Sequence, residues 1–73
     1  MDEDILAEIK VDVLMGPMVS RGFRRGYWPF TFRGEEYRVY TSIPYKTDLE
    51  WQRVCVRERA YLMLERLCII KNE

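Results

Sequence analysis

The sequence predicts a small α+β domain: a three-stranded antiparallel sheet packed on one C-terminal helix. Three observations carry this. Two runs of alternating aromatic and β-branched residues flank Gly34. A long apolar-rich segment follows a helix-capping signature at residues 47–50. A length of 73 residues leaves room for one domain over 1–73 and for no second.

The N-terminal element has two readings. Ala7, Ile9, Val11, Val13 and Met15 alternate with Glu8, Lys10 and Asp12, which predicts a strand over about 7–15. Ile5, Leu6, Ile9 and Val13 also form a helical stripe, with acids before it and Gly16-Pro17 after it. The β-branched residues in the alternation put the strand first and keep the helix as its alternative. Residues 16–27 hold Gly16, Pro17, Gly22 and Gly26 and read as a loop.

The next segment is the clearest. Trp28, Phe30 and Phe32 alternate with Pro29, Thr31 and Arg33. After a turn at Gly34-Glu35, Tyr37, Val39, Thr41 and Ile43 alternate with Arg38, Tyr40 and Ser42. This predicts a hairpin of 28–33 and 37–43, with Trp28, Phe30, Phe32, Val39 and Ile43 toward the core. Pro29 lacks an amide proton and is expected at a strand start or on a sheet edge. Pro44 ends the strand.

Thr47-Asp48-Leu49-Glu50 has the spacing of a capping box, with Thr47 as the cap, and opens a helix over about 48–67. Leu49, Val56, Ala60, Met63, Leu64 and Leu67 lie on its main apolar stripe. The pattern leaves open whether residues 68–70, Cys68-Ile69-Ile70, extend that helix or form a short β segment.

Composition narrows the chemistry. The chain has no histidine, which removes the commonest general base and transition-metal ligand. Cys55 and Cys68 stand about 20 Å apart along a continuous helix, too far for a disulfide, and two thiols without histidine make no standard zinc site. Both are therefore expected to be reduced. Ser20, Thr31, Thr41, Ser42 and Thr47 have no base to activate them. Glu35-Glu36 is a solvated turn pair. The four glycines match no phosphate-binding loop. No catalytic residue, no metal, no cofactor and no small-molecule substrate are expected, so the chain reads as a non-enzyme. The acidic start Met1-Asp2-Glu3-Asp4 lacks the basic opening of a secretory signal, and no apolar run is long enough to span a bilayer. A cytoplasmic location is the expectation.

Two features point to a partner. The helix is apolar beyond one face: Trp51, Cys55, Leu62 and Ile69 form a second stripe, and Val54, Tyr61 and Cys68 a third. A three-stranded sheet covers one side only, so Trp51, Tyr61 and Leu62 are expected anchors for another protein or for a second copy in a homodimer. The plainer alternative has the N-terminal segment or the loop folded over them. Charge is also segregated. Lys plus Arg and Asp plus Glu are both 12, yet residues 1–15 carry five acids against Lys10 and residues 16–33 carry four arginines and no acid. Arg21, Phe23, Arg24, Arg25 and Tyr27 interleave cations with aromatics, the residue types enriched at protein interfaces. The same loop chemistry suits nucleic acid, through Arg21, Arg24, Arg25, Tyr27, Trp28, Arg33 and Arg38. A solvated loop whose arginines pair with the acidic N-terminus is the bland reading of the same residues.

The function expected is a non-catalytic protein-binding module, of the kind by which small phage or mobile-element proteins inhibit or redirect a host protein. A small nucleic-acid-binding module is the alternative. In element order, residues 7–67 are similar to small DNA-binding modules of the integrase-arm type. That resemblance implies a sheet laid in the major groove, with Thr31, Arg33, Arg38, Tyr40 and Ser42 facing outward.

Overall fold

Alternation extends further than the hairpin alone requires, and the sheet follows it. The computed structural model describes residues 1–12, 15–44 and 48–71. Its elements in chain order are α1 (Glu3–Glu8), β1 (Ile9–Val11), β2 (Met15–Ser20), β3 (Phe23–Phe32), β4 (Glu35–Pro44) and α2 (Leu49–Arg66). β4 pairs antiparallel along the whole of β3, from Phe23↔Pro44 to Phe32↔Glu35. β1 pairs with the end of β3 (Ile9↔Phe32, Val11↔Phe30) and β2 with its start (Met15↔Tyr27, Ser20↔Phe23). A strand has two edges, so β1 and β2 share the one that β4 leaves. The sheet holds four strand segments but is three strands wide, as expected for this α+β architecture.

The N-terminal segment resolves both of its readings. Asp2 caps a single helical turn and a half by accepting from the amides of Asp4 and Ile5 at 2.9 and 3.3 Å. Strand β1 then begins at Ile9. The strand expected over 7–15 is thus a helix up to Glu8, and Val13 lies outside the described residues.

The expected loop over 16–27 is instead strand β2, a turn at Arg21-Gly22, and the first half of β3. Arg21 (φ 50°) and Gly22 (φ 82°) are both left-handed, and so are Arg33 (φ 51°) and Gly34 (φ 84°) in the β3–β4 turn. Positive φ at both central residues matches the right-handed twist of the flanking strands. Two Arg-Gly dipeptides therefore close two hairpins. The second turn falls at Arg33-Gly34 rather than Gly34-Glu35, and Glu35 and Glu36 already belong to β4. Gly16 and Pro17 are tolerated in β2 because the register shifts between Met15 and Met18, where no regular ladder bond is needed.

Pro29 departs from expectation too, in the interior of the central strand. The Asp12 amide donates to the Pro29 carbonyl at 3.0 Å. Pro29 therefore faces the β1/β2 edge at the break between these two segments, where its missing N–H costs little.

The core lies between the sheet and α2. From the sheet come Ile9, Trp28, Phe30, Phe32, Val39 and Ile43; from α2 come Val56, Ala60, Tyr61 and Leu64. All five sheet residues expected to face inward do so. The Trp28 indole N–H is buried without a hydrogen-bond partner. The buried stripe of α2 runs Gln52, Val56, Ala60, Leu64 at four-residue spacing. Leu49 and Leu67, expected on it, are exposed: one is the first helical residue and the other the C-cap, beyond the stretch that meets the sheet. The helix is capped by Asp48, which accepts from the Trp51 amide at 2.8 Å; the expected cap, Thr47, lies outside the described residues.

Residues 68–70 neither extend the helix nor form a strand. The Cys68 amide bonds to Glu65 O and the Ile69 amide to Leu64 O, at 3.0 and 2.9 Å, with Cys68 left-handed at φ 60°. This is a Schellman ending with cysteine where glycine is usual. It turns the chain back and buries Ile70. Both cysteines are free thiols, Cys55 half-buried and Cys68 exposed.

Candidate partner-binding surface

Strand alternation sorts the arginine-rich segment onto two faces. The Trp28↔Val39 pair points to α2, so Arg24 lies on the covered face opposite Ile43 and Arg25 on the open face opposite Ser42. The two neighbours, expected to act together from a loop, are separated by the thickness of the sheet. Arg21 sits exposed in the first turn. Arg33 is engaged: its Nε and Nη2 donate to the two carboxylate oxygens of Glu8 at 3.2 and 3.1 Å. That forked bond raises the Arg33 pKa further above its ordinary value. Its guanidinium also lies 4.7 Å from the centre of the Phe32 ring.

The open face has aromatic content of its own. Tyr27 and Tyr40 are register partners whose rings meet edge to face with centroids 5.5 Å apart. Both stay more than half exposed, at 58% and 56%. Phe23, two positions from Arg25 on the same face, is exposed as well. Arg25 and Arg38 each stand two residues along their strand from this pair, on the same side of the sheet. Tyr27, Tyr40, Phe23, Arg25 and Arg38 thus form one patch on the side of the sheet away from α2. Tyr40 was expected only through the integrase-arm resemblance. Its signal lay in the register, since a residue opposite Tyr27 across a two-residue hairpin is on the same face.

The helix anchors divide. Trp51 and Leu62 are exposed, at 54% and 41%. Tyr61 is buried, and its hydroxyl accepts from the Asp2 amide at 3.1 Å. It holds α1 to α2 and offers no surface, which corrects its placement as an exposed anchor. The N-terminal segment does fold over part of the helix, with Ile5 and Leu6 packed against the core. Trp28, named for base stacking, is likewise sealed in the core at 1% exposure. Of the seven residues of the nucleic-acid constellation, Arg25, Tyr27 and Arg38 share the open face.

Among the described residues no group of three or more His, Cys, Asp or Glu side chains is placed to hold a metal ion. No helix is long and apolar enough to cross a membrane, again among the described residues. Burial pushes the Cys55 thiol up from its ordinary pKa, and the Glu58 charge adds to this. Comparison with protein-family models, with curated proteins and with solved structures finds no match to this chain.

Proposed function

We propose that the chain is a non-catalytic protein-binding module that uses the open face of its sheet. The exposed Tyr27–Tyr40 pair flanked by Arg25 and Arg38 carries this reading. Tyrosine and arginine dominate the energetically important positions of protein interfaces, because each combines a large contact area with a polar tip. Phe23 adds an apolar end to the patch. The module acts by occupying its partner's surface, inhibiting or redirecting that partner.

Charge favours a protein over nucleic acid. The chain is neutral as a whole, Glu36 shares the open face with the arginines, and Arg24 and Arg33 are turned away or engaged. A phosphate-binding surface needs cations gathered on one side.

The test pairs two measurements. Capture from cell extract with the tagged chain should recover a partner, and the combined Phe23→Ala and Tyr27→Ala variant should lose it. Titration with single- and double-stranded DNA and RNA at low salt should show no binding. Tight nucleic-acid binding that weakens steeply with salt would replace this reading by the nucleic-acid one. A partner retained by the double variant would move the interface off the open face.

A further inference from the structure

We propose that two copies of this chain pair through the free edge of β4, antiparallel and about a twofold axis at Val39. The inference stands apart from the partner reading above, which concerns the face of the sheet and not its edge.

The backbone argument comes first. The Asp12–Pro29 bond shows that Pro29 points its carbonyl away from β4. Its register partner Arg38 must then point its own N–H and C=O away from β3. Ladder groups alternate, so Glu36, Arg38, Tyr40 and Ser42 all present theirs to the free edge. Among the described residues no strand and no side chain pairs with them. Over this stretch the edge lacks several of the usual protections: it is long, without a register shift, and without proline between Glu35 and Ile43, and its charges, Glu36 and Arg38, are opposite in sign.

The side chains then select a second copy and a register. With Val39 on the axis, Arg38 lies opposite Tyr40 of the other copy, twice, and Glu36 opposite Ser42, twice. Every outward N–H and C=O of the four residues finds a partner. Moving the axis to Arg38 sets two arginines directly opposite each other, which is destabilising. Moving it to Tyr40 brings Pro44, with no N–H, opposite Glu36. Moving it to Tyr37 halves the paired length.

Helix α2 supports the same edge. A groove of about 400 Å³ lies between Thr41–Ile43 of β4 and Cys55, Glu58, Arg59 and Leu62 of α2. Leu62 and, one turn before Cys55, Trp51 are exposed beside it. Glu58 and Arg59 are adjacent and opposite in charge, so each copy offers its twofold mate the complement of what it receives. Joining the edges also merges the two open faces into one wider sheet.

Sedimentation equilibrium of the full chain over a hundredfold concentration range, with amide exchange read by NMR, tests the proposal. A monomer–dimer equilibrium is expected. Amides of Glu36, Arg38, Tyr40 and Ser42 should exchange about tenfold or more slowly in the dimer than at dilution. Those of Tyr37, Val39 and Thr41, already bonded to β3, should change little. Arg38→Pro removes one edge donor and should leave a folded monomer. A chain that is monomeric throughout the range overturns the proposal. So does a dimer in which the four edge amides stay fast, since it would use another surface. If Arg38→Pro does not fold, the wild-type exchange pattern alone decides.

Discussion

The Tyr61 hydroxyl accepts a hydrogen bond from the Asp2 amide at 3.1 Å, across 59 positions of sequence. It is a polar tie between the start of the chain and the middle of α2. Asp2 in turn caps α1, so this single contact orients the helix start that Ile5 and Leu6 follow into the core. Tyr61→Phe keeps the ring and removes the acceptor. Chemical denaturation should show a loss of about 1 kcal/mol. The amides of α1 should exchange faster while those of α2 do not.

Cys68 predicts a stabilising substitution. It holds the left-handed position that closes α2, at φ 60°. A side chain there is strained by about 1 kcal/mol relative to glycine. Cys68→Gly should therefore raise the melting temperature. Cys68→Ala should not, since alanine carries the same Cβ. Equal effects from the two would place the gain in the thiol rather than the backbone.

The two Arg-Gly turns make a matched pair of tests. Gly34 is left-handed with open space where a Cβ would go. Gly34→Ala should thus cost about 1 kcal/mol through backbone strain alone. Arg21→Asn places a residue suited to positive φ before Gly22 and should stabilise by a few tenths of a kcal/mol or more. Arg33→Asn should gain less, because it also removes the fork to Glu8. That pair is about half exposed and screened by solvent, so the fork contributes little.

Leu64 and Leu67 share an apolar stripe in sequence but not in structure. Leu64 is fully buried and Leu67 exposed. Leu64→Ala should destabilise by about 2–5 kcal/mol and Leu67→Ala by less than about 0.5. Equal losses would mean that the helix is rotated from the position described.

Cys55 gives a pH dependence. Its folded pKa is raised, by burial first and by Glu58 second. The unfolded chain releases that proton earlier, from about pH 8.5. The stabilising contribution is full below that pH and falls away as pH rises through the folded value. A thiol-specific reagent at neutral pH should label exposed Cys68 before Cys55. Denaturation at rising pH should show stability declining above about pH 8.5, and Cys55→Ala should flatten that decline.

Much of the fold was legible in the residues. The alternation around Gly34 named all five inward sheet side chains, and the spacing of Val56, Ala60 and Leu64 named the helix face. The first hairpin was not legible, because Gly16, Pro17, Gly22 and Gly26 are turn formers in isolation. A register shift at Met15/Met18 and a positive-φ turn at Arg21-Gly22 absorb them within strands. For the same reason a cluster of arginines that looked like one loop surface became residues on opposite faces.

By itself the sequence determined the second hairpin, the C-terminal helix, the inward aromatic set and the lack of histidine, because these depend on local periodicity and on composition. Only the tertiary structure decided which apolar residues are surface. Tyr61 is covered by the N-terminal turn, while Trp51, Leu62 and Tyr40 are left in the open. It also decided that, among the described residues, no strand pairs with the second edge of β4. Local pattern gives each residue a side of its own element. Whether anything packs on that side depends on segments far away in the chain.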